Sequence, residues 1–464
     1  MSGEELEWLS IAEAARLVRA RKLSPVELTE ACLKRIEHLA GRLNAFITVA
    51  ADQAMRDATA AQNLIAKGVY RGPLHGIPVA LKDIFGMAGV RETAGSKILA
   101  ENVSAEDAEA TTLLKGSGAV ILGKLNLHEF AFGATGVNPH YGAARNPWDT
   151  ARITGGSSSG SGAAVASGEC PAALGTDTGG SVRIPASLCG IVGLKPTYGR
   201  VSKRGVLPLS WSLDHVGPMT RTVEDTAIVL SAIAGHDADD PKSADEPALD
   251  YAASLGGGLA GLRVGVPRRF FFENVDPDVE RAVRSAVNLL GDMGAVVTEV
   301  EAPLINEVPG ALGGIMLPEA LAYHERWMKE RPDDYGDDVR YRLELGARYT
   351  AVQYVQAQRF REKAVEAWRQ DVFSQVDLVV TPTTPVTAAR IDDSDLEVTL
   401  SLIRFTNPFN FLRVPAVSVP CGFSSTGLPI GLQLVGRWWD EATLLRAAHT
   451  YERATDWHTR RPPL

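Results

Sequence analysis

Two tracts rich in glycine and serine constrain this chain more than any other part of it: Gly155-Gly156-Ser157-Ser158-Ser159-Gly160-Ser161-Gly162 and Gly175-Thr176-Asp177-Thr178-Gly179-Gly180-Ser181. Glycine permits positive φ and lets backbone approach a neighbour or a ligand closely. Successive N–H groups in such a loop can converge on one concavity and hold a negative oxygen. Ser157 and Ser181 stand 24 positions apart. A hydroxyl closing the second tract would lie beside the oxyanion hole that acyl transfer requires. A flexible linker has the same composition. Here, however, Ala163-Ala164-Val165-Ala166 and Pro171-Ala172-Ala173-Leu174 flank the tracts with residues suited to a core.

With 464 residues, 45% hydrophobic and 22% charged, the chain reads as an ordinary soluble globular protein, and length alone suggests two or three domains. Its net charge of −9 comes from 47 basic and 56 acidic residues without blocks of like charge. That balance argues against nucleic acid or an anionic membrane as main partner. Met1 to Ser10 carries Glu4, Glu5 and Glu7 and no basic stretch, so no secretory signal is expected. No apolar run approaches the roughly 18 residues of a membrane span. The expectation is a cytoplasmic enzyme for small molecules, monomeric or homodimeric. Cys32, Cys170, Cys189 and Cys421 form no CxxC pair and read as reduced, buried thiols. The apolar surroundings of Cys170 and Cys189 do not suit a thiolate nucleophile.

Helical and strand periodicities alternate along the chain. Ser24-Pro25-Val26-Glu27 combines an N-cap, a proline at the first helical position and a capping-box glutamate. Leu28, Ala31, Cys32, Ile36 and Leu39 then recur at helical spacing. A helix followed by a strand is predicted at Thr111–Leu114 with Ala119–Gly123, at Asp276–Met293 with Ala295–Val300, and at Ala364–Val372 with Asp377–Thr381. Strands at Ala416–Val419 and Ile430–Val435 and a helix over Asp440–Arg453 close the chain. This pattern is that of an α/β layer fold with a buried, parallel or mixed sheet. Gly235–Gly258 reads as a surface excursion. A helical stretch over about 306–370 is the best candidate for a cap, with Tyr323, Trp327, Tyr335, Tyr341, Tyr349 and Tyr354 either lining a pocket or simply packing.

A nucleophilic serine must pass its proton to a base, usually histidine. None of the nine histidines stands in a local signature, and His128-Glu129 lacks the second histidine of a zinc-binding HExxH. No metal or cofactor is expected, since Walker A and GxGxxG motifs are absent as well. Gly156-Ser157-Ser158-Ser159-Gly160 matches the G-x-S-x-G elbow of α/β-hydrolases, which would make Ser158 the nucleophile of a Ser-His-Asp triad. That elbow follows a buried strand, whereas Arg145 to Arg152 reads as loop. The other base on offer is Lys82, directly after the apolar run Ile77-Pro78-Val79-Ala80-Leu81. Burial disfavours the ammonium form and would leave an amine able to accept a proton.

Taken together, Gly76-Ile77-Pro78 with Lys82-Asp83, Gly155-Gly156-Ser157-Ser158, and Gly175 through Ala186 resemble the amidase signature family. The likeness continues through Cys189-Gly190, Gly193 to Thr197, Ser212 to Met219 and Pro429 to Gly436. It spans roughly residues 8 to 455 and is densest between 72 and 226. The resemblance implies one compact α/β/α unit around a large mixed sheet, which replaces the count of domains from length. It also implies a Ser–cisSer–Lys triad with Ser181 as nucleophile, Ser157 as relay after a cis peptide, and Lys82 as base. The backbone N–H groups of Thr178, Gly179, Gly180 and Ser181 would form the oxyanion hole, and Ser158 would support the lysine by hydrogen bonding. Asp177 and Arg183 would form a structural clamp, or Arg183 would bind a substrate carboxylate. His215 reads as structural.

The resemblance leaves two functional classes. One is a free-standing hydrolase of amides, with esters and carbamates as further substrates of the family. The other is the A subunit of glutamyl-tRNA amidotransferase, a glutaminase working in a complex. That subunit typically carries glutamine after the arginine of the nucleophile loop, where this chain has Ile184. Ile184, with Tyr323, Trp327 and Tyr341, is therefore expected to line a pocket for a neutral, partly apolar substrate. A catalytically silent scaffold is a third reading, set against the presence of all three triad positions.

Overall fold

Alternation along the strands shows a sheet covered on both faces. Val79 and Leu81, Ile121, and Ala172 and Leu174 belong to one buried apolar cluster. Their neighbours Ala80, Val120, Leu122 and Ala173 belong to another, which includes Ala163 to Ala166. Side chains of period two falling into separate cores place helices on each side. The computed structural model of the chain describes residues 3–464, so Met1 and Ser2 of the acidic N-terminal stretch lie outside the described residues.

The strands, in chain order, are β1 (Phe46–Val49), β2 (Pro78–Lys82), β3 (Val120–Leu125), β4 (Arg145–Asn146), β5 (Asp149–Ile153), β6 (Ala172–Asp177) and β7 (Val192–Lys195). They continue with β8 (His215–Thr220), β9 (Arg263–Pro267), β10 (Val296–Val300), β11 (Leu378–Pro382), β12 (Ala416–Phe423) and β13 (Pro429–Gly436). Eleven of them form one sheet in the order β1-β3-β2-β6-β8-β7-β12-β13-β11-β9-β10. β2 runs parallel to β3 and β6, and β9 parallel to β10 and β11. The other pairings are antiparallel, so the sheet is mixed. The α/β class expected from the sequence is the one observed.

The first capped helix runs over Pro25–Leu43, with Ser24 Oγ accepting from Val26 N and Glu27 Oε2 accepting from Ser24 N, each at 3.0 Å. Leu28, Ala31, Cys32, Ile36 and Leu39 face the core as the spacing requires. The stretch around 306–370 is three helices rather than one: Val308–Glu330, Asp337–Gly346 and Ala351–Asp371. Pro332 and Gly336 stand in the first break, and Thr350 caps the last helix through Gln353. Arg145 to Arg152, expected as loop, belongs to the hairpin β4–β5, turned at Pro147-Trp148 and held by Asn146 Nδ2 donating to Ile153 O at 3.0 Å. Gly235–Gly258 carries no helix or strand but is not purely surface: buried Asp237 accepts from Ser202 Oγ at 2.7 Å and Asp240 from Lys203 N at 2.9 Å. Among the described residues no helix is long and apolar enough to cross a membrane.

The first glycine tract is set by contact distance. Helix Ser159–Ala166 packs so closely that a Cβ on Gly160 would lie 2.3 Å from Ala45 O and 2.5 Å from Asn126 N. These are backbone atoms that cannot move aside. Gly160→Ala is therefore expected to destabilise by about 3 kcal/mol, the upper end for overpacking. Gly41→Ala, in a helix and with nothing within 4 Å, should stabilise by about 0.5–1 kcal/mol. Thermal unfolding of both variants checks the contrast, and equal melting temperatures would refute it.

Candidate active site

Two neighbouring parallel strands bring the first groups together. Leu81 of β2 pairs with Leu174 of β6, so the C-terminal ends of both strands open at the same edge. Lys82 ends β2 and Asp177 ends β6, with Thr176 one residue before. Such strand ends are where α/β sheets place ligands. The third piece enters from outside the sheet. After hairpin β4–β5 the chain passes through a cis Gly156–Ser157 peptide, as the family resemblance implies, and starts helix Ser159–Ala166. Ser158 N donates to Ser181 O at 3.2 Å, which docks the first tract on the second.

Lys82 is completely buried, and its Nζ donates to Ser157 Oγ at 2.7 Å and to Thr176 Oγ1 at 2.9 Å. No carboxylate among the described residues lies within ion-pair distance of it. Burial pulls its pKa down to about 7, against the raising fields of Asp214 and Asp177. The ammonium and the amine are thus both populated near neutrality. Ser157 is also fully buried, whereas Ser181 is 9% exposed. Ser181 Oγ makes no hydrogen bond among the described residues, so the nucleophile candidate alone of the three presents a free hydroxyl toward solvent.

The loop that carries Ser181 is organised by one carboxylate. Asp177 Oδ1 accepts from Gly180 N at 2.8 Å, Arg183 Nη2 at 2.9 Å and Asn410 Nδ2 at 2.8 Å. Oδ2 accepts from Val182 N at 3.2 Å and Arg183 Nε at 3.0 Å. Burial alone would raise the Asp177 pKa; the Arg183 guanidinium outweighs it and holds the carboxyl well below its usual range. Gly180 N–H is therefore turned inward, in contrast to the expectation that it joins the oxyanion hole. The N–H groups of Thr178, Gly179 and Ser181 have no protein acceptor among the described residues. Thr406 Oγ1 accompanies this loop, donating to Gly179 O at 2.6 Å. Gly180, with φ of +135°, has no room for a Cβ, which would sit 2.1 Å from Thr406 Oγ1.

Other expected residues fall elsewhere. Ser158 makes no hydrogen bond to Lys82; its Oγ donates to Thr176 O at 3.3 Å, and Thr176 Oγ1 supports the lysine instead. Ser158 also follows a short strand outside the main sheet and is fully buried, unlike the nucleophile of an elbow. Arg183 is fully buried and also donates to Gln433 Oε1 and Asn410 Oδ1, both at 2.6 Å, contacts that fit the clamp of the two expected roles. Ile184 packs beneath the loop with Ala134, Ile153, Leu188 and Leu402 and does not line a pocket. Tyr341 is 46% exposed on the surface, and Trp327 packs against Phe130 at 5.9 Å between ring centroids. Of the four proposed pocket residues, Tyr323 alone lines a cavity beside the site, one of about 530 Å³ shared with Trp211, Asp214, His215 and Thr176. His215, read as structural, has its Nδ1 2.6 Å from Leu213 O and its pKa pushed down by burial, while its Nε2 is buried without a hydrogen-bond partner among the described residues. All four cysteines are buried free thiols. Thr176, Asn410 and Gln433 escaped the sequence reading; Thr176 and Gln433 stand within its motifs, whereas Asn410 lies outside them and meets the loop only in space.

The Amidase family model matches residues 27–445. This chain belongs to the amidase family. It is 46% identical over 466 residues to an amidase of Pseudomonas putida, covering 98% of each chain. It is 44% identical over 486 residues to the A subunit of the glutamyl-tRNA(Gln) amidotransferase of Chloroflexus aggregans, covering 99% of each. Among solved structures it resembles 6-aminohexanoate cyclic dimer hydrolase, with TM-score 0.91 at 31% identity, covering 98% of this chain and 99% of that one. The chain is an amidase-type hydrolase of amide C–N bonds.

The depressed lysine pKa has a thermodynamic signature. Between pH about 7 and 10.5 the unfolded amidase holds the Lys82 proton and the folded one does not. Folding stability therefore gains with rising pH in that window. The stability of the wild type relative to Lys82→Met should climb by up to about 1.4 kcal/mol per pH unit there. Denaturant unfolding of both proteins at about pH 7.5, 8.5 and 9.5 checks the slope; parallel curves would show that Lys82 stays protonated.

Proposed function

We propose that this amidase hydrolyses the amide bond of a neutral, partly apolar small molecule through an acyl-enzyme on Ser181. The observation that carries the reading is the dry Lys82 amine at 2.7 Å from Ser157 Oγ, on a loop bonded to the Ser181 backbone. With Lys82 neutral, Ser157 gives its proton to Nζ while taking the proton of Ser181. Ser181 Oγ then forms a bond to the amide carbon, and the carbonyl oxygen gathers negative charge. The free N–H groups of Thr178, Gly179 and Ser181 stabilise that oxygen. As the C–N bond breaks, the proton returns from Lys82 through Ser157 to the leaving nitrogen. Water, deprotonated by the same relay, cleaves the ester and frees Ser181. Amide, ester and carbamate carbonyls can all enter this sequence.

The aromatic wall of Trp211 and Tyr323, whose rings meet edge to face at 6.4 Å, supports an aryl or aliphatic group on the substrate. Apolar contact of that kind is worth about 25 cal/mol per Å² removed from water. A second reading keeps the chemistry and changes the substrate to glutamine. It is favoured by the full-length likeness to the amidotransferase relative and by Arg361 and Arg413. Both line a cavity of about 550 Å³ with Trp211 and Tyr354, and neither has a carboxylate within ion-pair distance among the described residues.

Ser181→Ala should remain folded and lose activity by roughly 10³-fold or more. A fluorophosphonate should label Ser181, and an adduct on Ser158 would contradict the assignment. The rate of the chemical step should rise with pH through about 7 as Lys82 loses its proton; a profile flat from about pH 5 to 9 would rule out a lysine base. The purified chain alone should prefer anilides, aryl esters or aryl carbamates to glutamine. A preference for glutamine of about tenfold in kcat/KM, or activity only with the other proteins of an amidotransferase complex, would establish the second reading instead.

A further inference from the structure

The relay serine is held from its far side by a segment with no part in the triad. Residues 128–134 supply both backbone partners of the turn: His128 N donates to Ser157 O at 3.1 Å, and Gly156 N donates to Ala134 O at 2.6 Å. These two bonds flank the peptide that fixes where Ser157 Oγ points. The same segment is tied to the helix Asp337–Gly346. His128 Nε2 lies 2.8 Å from Asp338 Oδ2, and Arg342 Nη1 donates to Asp338 Oδ2 at 2.7 Å and to Phe132 O at 2.6 Å. Glu129 Oε2 accepts from Gly336 N at 2.8 Å just before that helix. His128 is nearly buried, while the Asp338 side chain is 43% exposed. Space around the imidazole is closed as well: a Cβ on Gly133 would lie 2.2 Å from His128 Nε2.

We propose that His128, Asp338 and Arg342 form a clasp that positions the relay serine, so that the helical segment 308–346 sets the alignment of Ser157 between Lys82 and Ser181. The three are positioning residues; none touches the reacting atoms. The clasp rests on the relay role given to Ser157 above. Without Asp338, the imidazole and the Arg342 guanidinium lose their common acceptor, and the His128 side chain loses its one bond to the helix Asp337–Gly346, which then holds the segment only through Phe132 O and Glu129. Small displacements of a relay are expensive, since misplacement by about 1 Å can lower a rate by 10²-fold.

The test uses the amide that the wild type turns over fastest. Asp338→Ala should lower kcat by about tenfold, leave KM within about threefold and slow fluorophosphonate labelling of Ser181 in parallel. Asp338→Asn, which keeps an oxygen to accept from both partners, should restore kcat to within about threefold of wild type. Gly133→Ala, which displaces the imidazole from the other side, should reproduce the loss. Ser157→Ala run alongside separates the two ideas: if it stays active, the relay itself is wrong and the clasp falls with it. If Ser157→Ala is inactive, the clasp alone is overturned by an Asp338→Ala kcat within twofold of wild type, by an effect confined to KM, or by an Asn variant as slow as the Ala variant.

Discussion

The loop that carries Ser181 depends on the buried carboxylate of Asp177. Six residues from Asp177 to Val182 turn through a glycine pair with too few side chains to pack the turn themselves. Their conformation comes from one acceptor that draws Gly180 N, Val182 N and the Arg183 guanidinium to itself. The guanidinium also donates to Gln433 and Asn410, which ties the loop to β13 and to the helix Asn407–Phe411. Removing one partner from such a pair leaves a bare charge in the interior and costs about 3–5 kcal/mol. The same geometry decides which N–H groups point outward. Because Gly180 N is bound inside, the Thr178, Gly179 and Ser181 N–H groups are the ones left for a ligand.

Three lysines are fully buried in this chain, and the interior treats each differently. Lys124 has a carboxylate, Asp83 Oδ1, at 2.9 Å, in a pair adjacent in sequence to Lys82. Lys195 has only carbonyls, Pro196 O at 3.1 Å and Val414 O, and burial drives its pKa far down, reinforced by the field of Arg183. Lys82 has neither a carboxylate nor a carbonyl within hydrogen-bond distance among the described residues. Hydroxyls are its only bonded neighbours, and Asp214 and Asp177 act on it through space. Burial, partly offset by those two fields, brings its pKa down to about 7.

Much of this was legible in the sequence because the constraints are local. Ser24-Pro25-Val26-Glu27 carries the start of its helix in four consecutive residues, each with its cap bond within three positions. The family likeness, carried by short motifs, indicated the mixed sheet and brought Lys82, Ser157 and Ser181 into one site. What stayed hidden is of three kinds. β8 is a short strand interrupted by Gly217 and Pro218, so periodicity did not reveal it; Gly217 is glycine because a Cβ would meet Leu194 O at 2.1 Å. Asn410 and Gln433 act across more than 220 positions, and nothing near them in the chain marks their target. Ile184 and Tyr341 were misread in opposite senses: apolarity beside a nucleophile marked packing beneath the loop, and an aromatic ring on a helix marked surface.

The division of labour proposed for Lys82, Ser157 and Ser181 follows from two demands that no single side chain satisfies. A lysine is a base near neutrality only where water is excluded, because hydration stabilises the ammonium. A nucleophile must meet its substrate, so it cannot be equally dry. Here Lys82 has no exposure and Ser181 has 9%. If the lysine stood beside the substrate cavity, each opening of the site would wet it and return its pKa toward the ordinary value. A hydroxyl between them resolves the conflict. It both donates and accepts, carries no charge to desolvate, and is small enough to be buried without a cavity. In the relay proposed here, the proton crosses the boundary between wet and dry regions while the charge of the base stays on the dry side. That requirement, rather than reactivity of its own, accounts for a second serine in the site and for the amount of structure devoted to holding its backbone.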